Sequence, residues 1–383
     1  MPRYNADVHL TRLELANFRS YLELNISLRT GLTIAYGANG AGKSNLLEAA
    51  YLLAIGKSYR ASIERELVRW DAAATGSYAI IAGHVIREDA EIELRVGLDC
   101  AGGINTVAKR IRVNGVAKRA ADMVGALGAV LFTAEDIDLV FGSPQARRRY
   151  LDIMLAQLGG QYVHALQRYQ RVLTQRNALL RAIREGRAGD DELAYWDASL
   201  CAEGAVVLGE RYDTMQRLAP LAIEAFDRLE ATDKLGVTYA ATVPFDARPT
   251  RESFAAALER VRGSERAAGM TLIGPHRDDL KITMNGVEMA KHASRGQARL
   301  AALGLRVAEA RLIEERRGDP PVVLLDDVLS ELDDRRRGLV LEEAVRNHQT
   351  IVTTAELGQV PTRFLEGAHR LRVQEGSVAY ETA

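Results

Sequence analysis

The sequence predicts an α/β protein, a mixed sheet with helices in two lobes and a helical arm inserted between its two ends. Three observations predict it. An apolar run, Leu32–Tyr36, leads into the glycine loop Gly37-Ala-Asn-Gly-Ala-Gly42-Lys43-Ser44, and an apolar helical stretch follows directly. A second apolar run ending in two acids, Val322-Val-Leu-Leu-Asp326-Asp327, lies near the other end of the chain. Between them, residues 145 to about 230 carry sustained helical periodicity with few glycines or prolines. A site built from the two runs closes only if the chain folds back on itself.

The 383 residues exceed one simple core and call for two or three structural units. With 47% apolar and 26% charged residues the composition is that of an ordered globular protein, which excludes a disordered chain. No stretch approaches the ~20 apolar residues of a membrane helix, and Met1–Asp7 carries no apolar signal segment, so a cytoplasmic protein is expected. Cys100 and Cys201 are too few for a disulfide framework or a cysteine-rich metal site and read as reduced thiols. A net charge of −1 gives no global argument for a polyanionic partner, but the charge is unevenly spread. From Arg147 to Arg187 nine arginines face only Asp152 and Glu185, and Lys109-Arg110-Ile-Arg112 with Lys118-Arg119 forms a second basic cluster. Taken singly, each such arginine is expected on a solvated helix face; as local positive faces they can bind phosphate backbones.

In chain order, Val8–Leu15 and Leu22–Leu28 alternate as half-buried strands, and Leu32–Tyr36 is a short apolar strand. The helix after Lys43-Ser44 is stopped by Gly56. Strands are expected at Tyr78–Ile86, Ala90–Leu98 and Thr106–Val113, the last closed by an Asn114-Gly115 hairpin turn. Gly128–Thr133 is a strand running into the acidic turn at Glu135-Asp136. Helical spacing then links Leu151, Met154, Leu155 and Leu158, next Leu166 to Ile183, and finally about Leu193 to Leu229. Strand signals return at Gly236–Ala241, and a short helix is expected at Arg251–Arg262. A second hairpin turn is expected at Asn285-Gly286 and a long helix from Ser294 to about Arg317. Strands at Val322–Leu325, Gln349–Thr354 and His369–Val373 complete the sheet.

The glycine loop fits G-x-x-x-x-G-K-[ST], and its strand–loop–helix context is the one a P-loop requires. Gly37, Ala38, Asn39, Gly40, Ala41, Gly42, Lys43, Ser44 and Asn45 form the expected nucleotide-binding segment. Its glycines let backbone N–H groups wrap phosphate, Lys43 reaches the β- and γ-phosphates of ATP, and the Ser44 hydroxyl ligates Mg²⁺. The helix adds its positive N-terminal end. Val322–Asp327 has the form of a Walker B strand. Asp326 would hold Mg²⁺ and Asp327 would polarise the attacking water, so Lys43, Asp326 and Asp327 are the catalytic candidates. At the start of the long helix Ser294 is a credible N-cap, with Gly296 allowing close backbone approach and Gln297 following. Local evidence there favours plain helix capping; the order of motifs, with Val322–Asp327 and Ser330-Glu-Leu-Asp333 next, favours a functional reading.

P-loop, Ser-x-Gly-Gln signature, Walker B and Ser-x-Leu-Asp D-loop together resemble the head of ABC-type ATPases, in the branch shared with SMC-like proteins. More closely still, the chain resembles the RecF family of bacterial recombination mediators. The resemblance spans nearly the whole length, through Asn17-Phe-Arg-Ser-Tyr21, Gly37–Ser44, Gly56-Lys-Ser-Tyr-Arg60, Gly142-Ser-Pro-Gln-Ala-Arg-Arg-Arg149, Tyr195-Trp-Asp197, Gly274-Pro-His-Arg-Asp-Asp279, Ser294–Gln297 and Leu324–Asp333. It implies a head whose N-terminal part spans residues 1–145 and whose C-terminal part spans 236–383, with a helical arm at 146–235. It also implies an ATP-dependent homodimer in which Ser294, Gly296 and Gln297 of one protomer, with the D-loop residues Ser330 and Asp333, complete the site around the other's ATP. By the same resemblance the protein is a weak, DNA-stimulated ATPase that binds double-stranded and gapped DNA and works with RecR and RecO to load RecA.

Two departures from ABC transporter practice are visible. Asp327 stands where glutamate is usual, and Thr353 or Thr354 stands where a switch histidine is expected. Both agree with the RecF pattern and predict slow hydrolysis, with ATP acting as dimer glue and timer. Glu135 and Asp136 are the two options for the Q-loop. Arg19, Lys57 and Arg60 fall near the nucleotide by chain proximity, with contact and structural roles both open. His276 and Arg277 have no assignable role beyond the match, and no His or Cys at ligand spacing makes His276 a metal ligand. The expected DNA contacts are Lys57, Arg60, Lys109, Arg110, Arg112, Arg147, Arg148 and Arg149 with the arginines of the arm. They would grip backbone, since no aromatic stacking platform appears. A transporter ATPase subunit is the alternative of another class, opposed by the arginine-rich arm and the missing histidine. An SMC-like structural ATPase is a third reading, opposed by the shortness of the helical insert.

Overall fold

The computed structural model describes residues 8–74, 77–87, 90–100, 107–230 and 232–381. It divides into two compact units, one formed by Met1–Asp136 with Leu303–Ala383 and the other by Ile137–Ala302.

The first unit holds two six-stranded sheets. One is antiparallel, in the order Tyr21–Ser27, His9–Phe18, Tyr78–Arg87, Ala90–Asp99, Ala108–Val113, Val116–Lys118. Its strands alternate buried and exposed positions, as one solvated face requires. The other runs Ser377–Glu381, His369–Gln374, Gly31–Tyr36, Gln349–Thr354, Val322–Asp326, Ala129–Thr133, all parallel except the terminal hairpin. Its inner strands are continuous buried runs, the pattern of parallel strands covered on both faces. The helix Lys43–Ile55 is buried almost all round and ends on Gly56, at φ 74°. Gln349 joins the two sheets: its side chain exchanges 2.8 Å bonds with the backbone of Leu10 in both directions. In the parallel sheet the carboxyl ends of neighbouring strands come into register, with Asp326 paired to Thr353 and to Thr133, and Tyr36 paired to Thr354 and to Arg372. That edge is where open α/β sheets place ligands.

The second unit contains helices Pro144–Leu158, Gly160–Arg184, Leu193–Leu229 and Arg251–Ala268 and a three-stranded antiparallel sheet of Val287–Glu288, Asp279–Met284 and Leu235–Ala240. The long helix Arg295–Arg317 begins here. The unit draws its boundaries away from the 145 and 235 expected from the sequence, because the arm helices bury charges whose partners lie further on. Arg176, 1% exposed, bonds Asp197 at 2.7 Å, Glu265 at 2.6 Å and Thr271 at 2.8 Å. Arg211, equally buried, bonds the Pro275 carbonyl and Asp152 at 2.6 Å each and the Tyr162 hydroxyl at 3.0 Å. Helices 146–235 therefore share one core with residues 236–302.

The Gly274–Asp279 run acquires a physical role in this core. A Cβ on Gly274 would lie 2.5 Å from the Tyr169 hydroxyl. Asp278, fully buried, accepts from the Tyr239 hydroxyl at 2.5 Å and from the Thr242 amide and hydroxyl at 2.7 Å each. Asp279 binds the Arg147 guanidinium in two-pronged fashion at 2.7 and 2.9 Å. Other differences from expectation are short or peripheral. Val116–Lys118, Ser377–Glu381 and the helix Asp334–Ala344 were not anticipated, and the helix from Arg251 runs on to Ala268 before Gly269 stops it. Residue 106, the expected start of a strand, lies outside the described residues. Both cysteines are buried free thiols, as expected.

His276 yields a pH-dependent prediction. Its Nε2 lies 3.3 Å from the Thr271 carbonyl oxygen and must donate to it, so Nδ1 accepts the 2.7 Å bond from the Tyr169 hydroxyl. The ring is neutral, and burial pushes its pKa down to about 4 from the usual 6.5. Between those values the unfolded chain binds more protons, so stability falls as pH drops through this window. Urea titrations at about pH 7.5 and about pH 5 should show the loss, on the order of 1–3 kcal/mol for this residue. In His276→Gln the pH slope should be shallower; an unchanged slope contradicts the assignment.

Candidate nucleotide-binding site

The glycine loop is held from two sides within the first unit. Gly37 has φ 153°, and a Cβ there would sit 2.1 Å from the Val373 carbonyl oxygen of the C-terminal hairpin. Gly42, at φ 115°, faces Ser20 and Tyr21, whose hydroxyl donates to the Gly42 carbonyl at 3.0 Å. The Gly376 amide donates to the Ala41 carbonyl at 3.1 Å. These contacts fix a glycine loop of the kind whose amides cradle phosphate. Lys43 Nζ donates to the carbonyls of Gly37 at 2.7 Å and Ala38 at 3.0 Å. Burial lowers its pKa, while Asp327 and Asp326 oppose the shift. Asn45 bridges the Ser20 hydroxyl and the Arg60 guanidinium.

Opposite the loop, the Asp326 carboxylate receives three hydroxyl donors: Ser44 at 2.7 Å and Thr353 at 2.9 Å on Oδ1, and Tyr59 at 2.7 Å on Oδ2. Asp327 follows in the left-handed region at φ 52°, unusual for a side-chain-bearing residue. Its amide donates to the Thr353 hydroxyl at 2.9 Å, so one threonine positions both acids. Asp327 Oδ1 is buried without a hydrogen-bond partner. Burial raises the Asp327 pKa, Lys43 opposes that, and Asp326 adds to it. The Ser330 hydroxyl donates to the Asp327 carbonyl, and Asp333 caps the helix Asp334–Ala344 through the Arg336 amide. A hydroxyl, a carboxylate beside it and a second carboxylate with an orphaned buried oxygen form an all-oxygen donor set. That chemistry fits Mg²⁺, which prefers one or two carboxylates plus phosphate oxygens to an all-protein cage.

The signature segment lies in the second unit and is exposed at Ser294 and Gly296. Ser294 Oγ accepts from the Gln297 amide at 3.2 Å, and Gln297 Oε1 accepts from the Ser294 amide at 3.0 Å, a reciprocal capping box. Gln297 Nε2 also donates to Asp233 at 3.0 Å.

Several expected contacts prove to be internal. Arg147 is buried against Asp279 and the Gly142 carbonyl, and Arg148 donates to the Asp278 carbonyl at 2.7 Å. Lys109 is occupied by the Gly56 carbonyl at 2.6 Å and Glu64 at 2.7 Å. All three are engaged by backbone and carboxylate acceptors that only the tertiary fold supplies. Arg176, among the arginines of the arm, is a core residue. Lys57, Arg60, Arg110, Arg112 and Arg149 remain exposed. Arg19 grips the buried Glu48 at 2.9 and 2.7 Å, which makes it a strut. Of the Q-loop options, Asp136 pairs with Arg306 at 2.6 Å and caps Thr133, while Glu135 is exposed. Sequence reasoning missed Tyr59, Tyr21 and the Val373–Gly376 turn. Tyr59 and Tyr21 each had a signal, their places inside the Gly56–Arg60 and Asn17–Tyr21 runs.

A P-loop, a carboxylate at the end of the next strand but one and an exposed signature helix start define the class: a nucleotide-binding head of the ABC type. The chain belongs to the RecF branch of the family described as RecF/RecN/SMC N terminal domain, whose model matches residues 9–372. It is 43% identical over 385 residues to the DNA replication and repair protein RecF of Herpetosiphon aurantiacus, covering 97% of this chain and 99% of that one. Identity to the protein of the same name from Roseiflexus castenholzii is 43% over 389 residues, covering 96% and 99%. A solved structure of the recombination mediator RecF with ATP, from the RecFOR pathway, superimposes with a TM-score of 0.88 at 30% identity over the full length of both chains. An SMC head domain from Pyrococcus furiosus, at 18% identity and a TM-score of 0.55 over 98% of this chain and 96% of that one, shares the fold.

The close approach at Gly37 gives a direct test. Gly37→Ala should raise the dissociation constant for a fluorescent ATP analogue more than about tenfold, a loss above ~1.4 kcal/mol, measured by equilibrium titration. Unchanged affinity would show that the loop does not hold the nucleotide in this conformation.

Proposed function

We propose that this protein is an ATP-dependent DNA-binding protein of recombinational repair and replication restart. ATP joins two protomers, the dimer binds double-stranded and gapped DNA, and with RecR and RecO it helps load RecA. The observation that carries the reading is the pairing of a preorganised phosphate and metal site at Lys43, Ser44 and Asp326 with an exposed, self-capped helix start at Ser294–Gln297. Such a helix start presents backbone N–H groups to an anion, here the γ-phosphate held by another protomer. The names of the relatives and the ATP-bound RecF structure support the same role.

In this mechanism the P-loop amides and Lys43 bind the β- and γ-phosphates. Ser44 and Asp326 would hold Mg²⁺, which would neutralise phosphate charge. Asp327, fixed through its amide by Thr353, orients and polarises the attacking water. Its carboxylate is one methylene shorter than glutamate, and Thr353 cannot shuttle a proton as histidine does, so hydrolysis is weak and times dimer release. Duplex backbone supplies the remaining partner, through the exposed cations.

Dimerisation by analytical ultracentrifugation, with gapped-DNA binding in parallel, tests the composite site. Lys43→Ala and Ser294→Ala should stay monomeric with ATP, Asp327→Asn should trap the dimer, and wild type should turn over well below the ~10 s⁻¹ typical of enzymes. Normal ATP-dependent dimerisation of Ser294→Ala sinks the reading. Arg112→Glu and Arg149→Glu should each weaken DNA binding regardless of sequence and lower the salt slope by about 1. Base-specific or salt-insensitive binding would contradict backbone contact.

A further inference from the structure

The Asp326 carboxylate has two oxygens with different protections. Oδ1 is shared by Ser44 and Thr353, whereas Oδ2 receives the Tyr59 hydroxyl at 2.7 Å. Ser44 is itself a metal-ligand candidate, and a hydroxyl that turns its oxygen to a cation changes its bond to Asp326. Thr353 then holds one oxygen, and a single bond leaves the carboxylate free to pivot about its terminal torsion, which is broad for aspartate. Tyr59 supplies the second point of attachment.

The phenol is built to stay in place. Its ring meets Tyr51 edge-on, with centroids 5.7 Å apart and planes at 90°. The preceding residue, Ser58, is 8% exposed and organises the turn: its oxygen accepts from the Arg60 amide at 2.9 Å and the Ala61 amide at 2.8 Å, and it donates to Glu48 at 2.5 Å. Glu48, wholly buried in the P-loop helix, is clamped in turn by Arg19. The segment carrying Tyr59 is thus anchored to the same helix that begins with Lys43 and Ser44.

We propose that Tyr59 is a positioning residue for the divalent cation: its hydroxyl fixes Asp326 Oδ2 so that the carboxylate and Ser44 present a preset pair of oxygens. This rests on the nucleotide-site reading above. Partners of this outer kind typically contribute 10–100-fold to metal affinity. Tyr59→Phe deletes one oxygen and keeps the ring against Tyr51.

The test uses the full chain with Mn²⁺ as the probe, counted by electron paramagnetic resonance in the presence of a non-hydrolysable ATP analogue. Tyr59→Phe should raise the Mn²⁺ dissociation constant about tenfold, while affinity for the analogue in excess EDTA stays at the wild-type value. Equal Mn²⁺ affinity in variant and wild type overturns the proposal. So does a parallel loss of analogue affinity in EDTA, which would make Tyr59 a general support of the loop. If wild type itself shows no analogue-dependent Mn²⁺ binding, the nucleotide-site reading fails and this proposal falls with it. Thr353→Val, which leaves Tyr59 and Oδ2 untouched, should weaken Mn²⁺ further when combined with Tyr59→Phe; no added effect in the double variant also counts against two-point fixation.

Discussion

One carboxylate organises the first unit. Asp326 draws a hydroxyl from the P-loop helix, one from the turn after that helix and one from the neighbouring strand, and these donors come from both ends of the chain. Closing so long a loop costs chain entropy, though the cost grows only slowly with length. What offsets it is the parallel sheet, whose buried runs at Val322–Leu325 and Gln349–Thr354 bring the strand ends into register. The polar cluster at the carboxyl edge is then satisfied almost completely. Asp327 Oδ1 is the exception, a buried oxygen without a partner at the place where the chemistry needs an acceptor.

The second unit uses charge in the opposite way. Arg147, Arg176 and Arg211 are struts whose guanidinium groups are saturated by carboxylates, carbonyls and hydroxyls drawn from distant segments. Breaking such a buried pair costs about 3–5 kcal/mol, since a charge is left without compensation. A planar, multidentate cation therefore acts as a directional clamp among helices that apolar packing alone would leave free to slide. The Gly-Pro-His-Arg-Asp-Asp run belongs to this clamp. Its glycine gives Tyr169 and Phe254 room, its proline carbonyl receives Arg211, and its acids receive Arg147 and the Thr242–Tyr239 pair.

What was legible in the sequence follows from the range of each signal. The P-loop, the acid-ended strand, the cap at Ser294 and the Asn-Gly turns are local, each fixed by backbone needs within a few residues, and all stand where expected. The partners of Lys109 and Arg147 were not legible because a cation's partner is a tertiary fact: nothing near Arg147 in sequence points to Asp279. Tyr59 was passed over for a related reason. A tyrosine between basic residues carries no periodic signal, and its partner lies in a strand near the far end of the chain. Helical periodicity likewise marks where helices stop and says nothing of which later strands share their core.

The C-terminal hairpin bears on when the protein becomes competent during its own synthesis. The Val373 carbonyl packs against Gly37, and the Gly376 amide completes the bond to Ala41, yet the ribosome makes these residues long after the loop. At ~5–20 residues per second the glycine loop waits on the order of tens of seconds for them. During that interval the loop lacks the contacts that Val373 and Gly376 make with it. Chains released before residue 376 keep the whole P-loop motif and still lack its support. The shape of the phosphate loop is thereby tied to the completeness of the sheet that carries it.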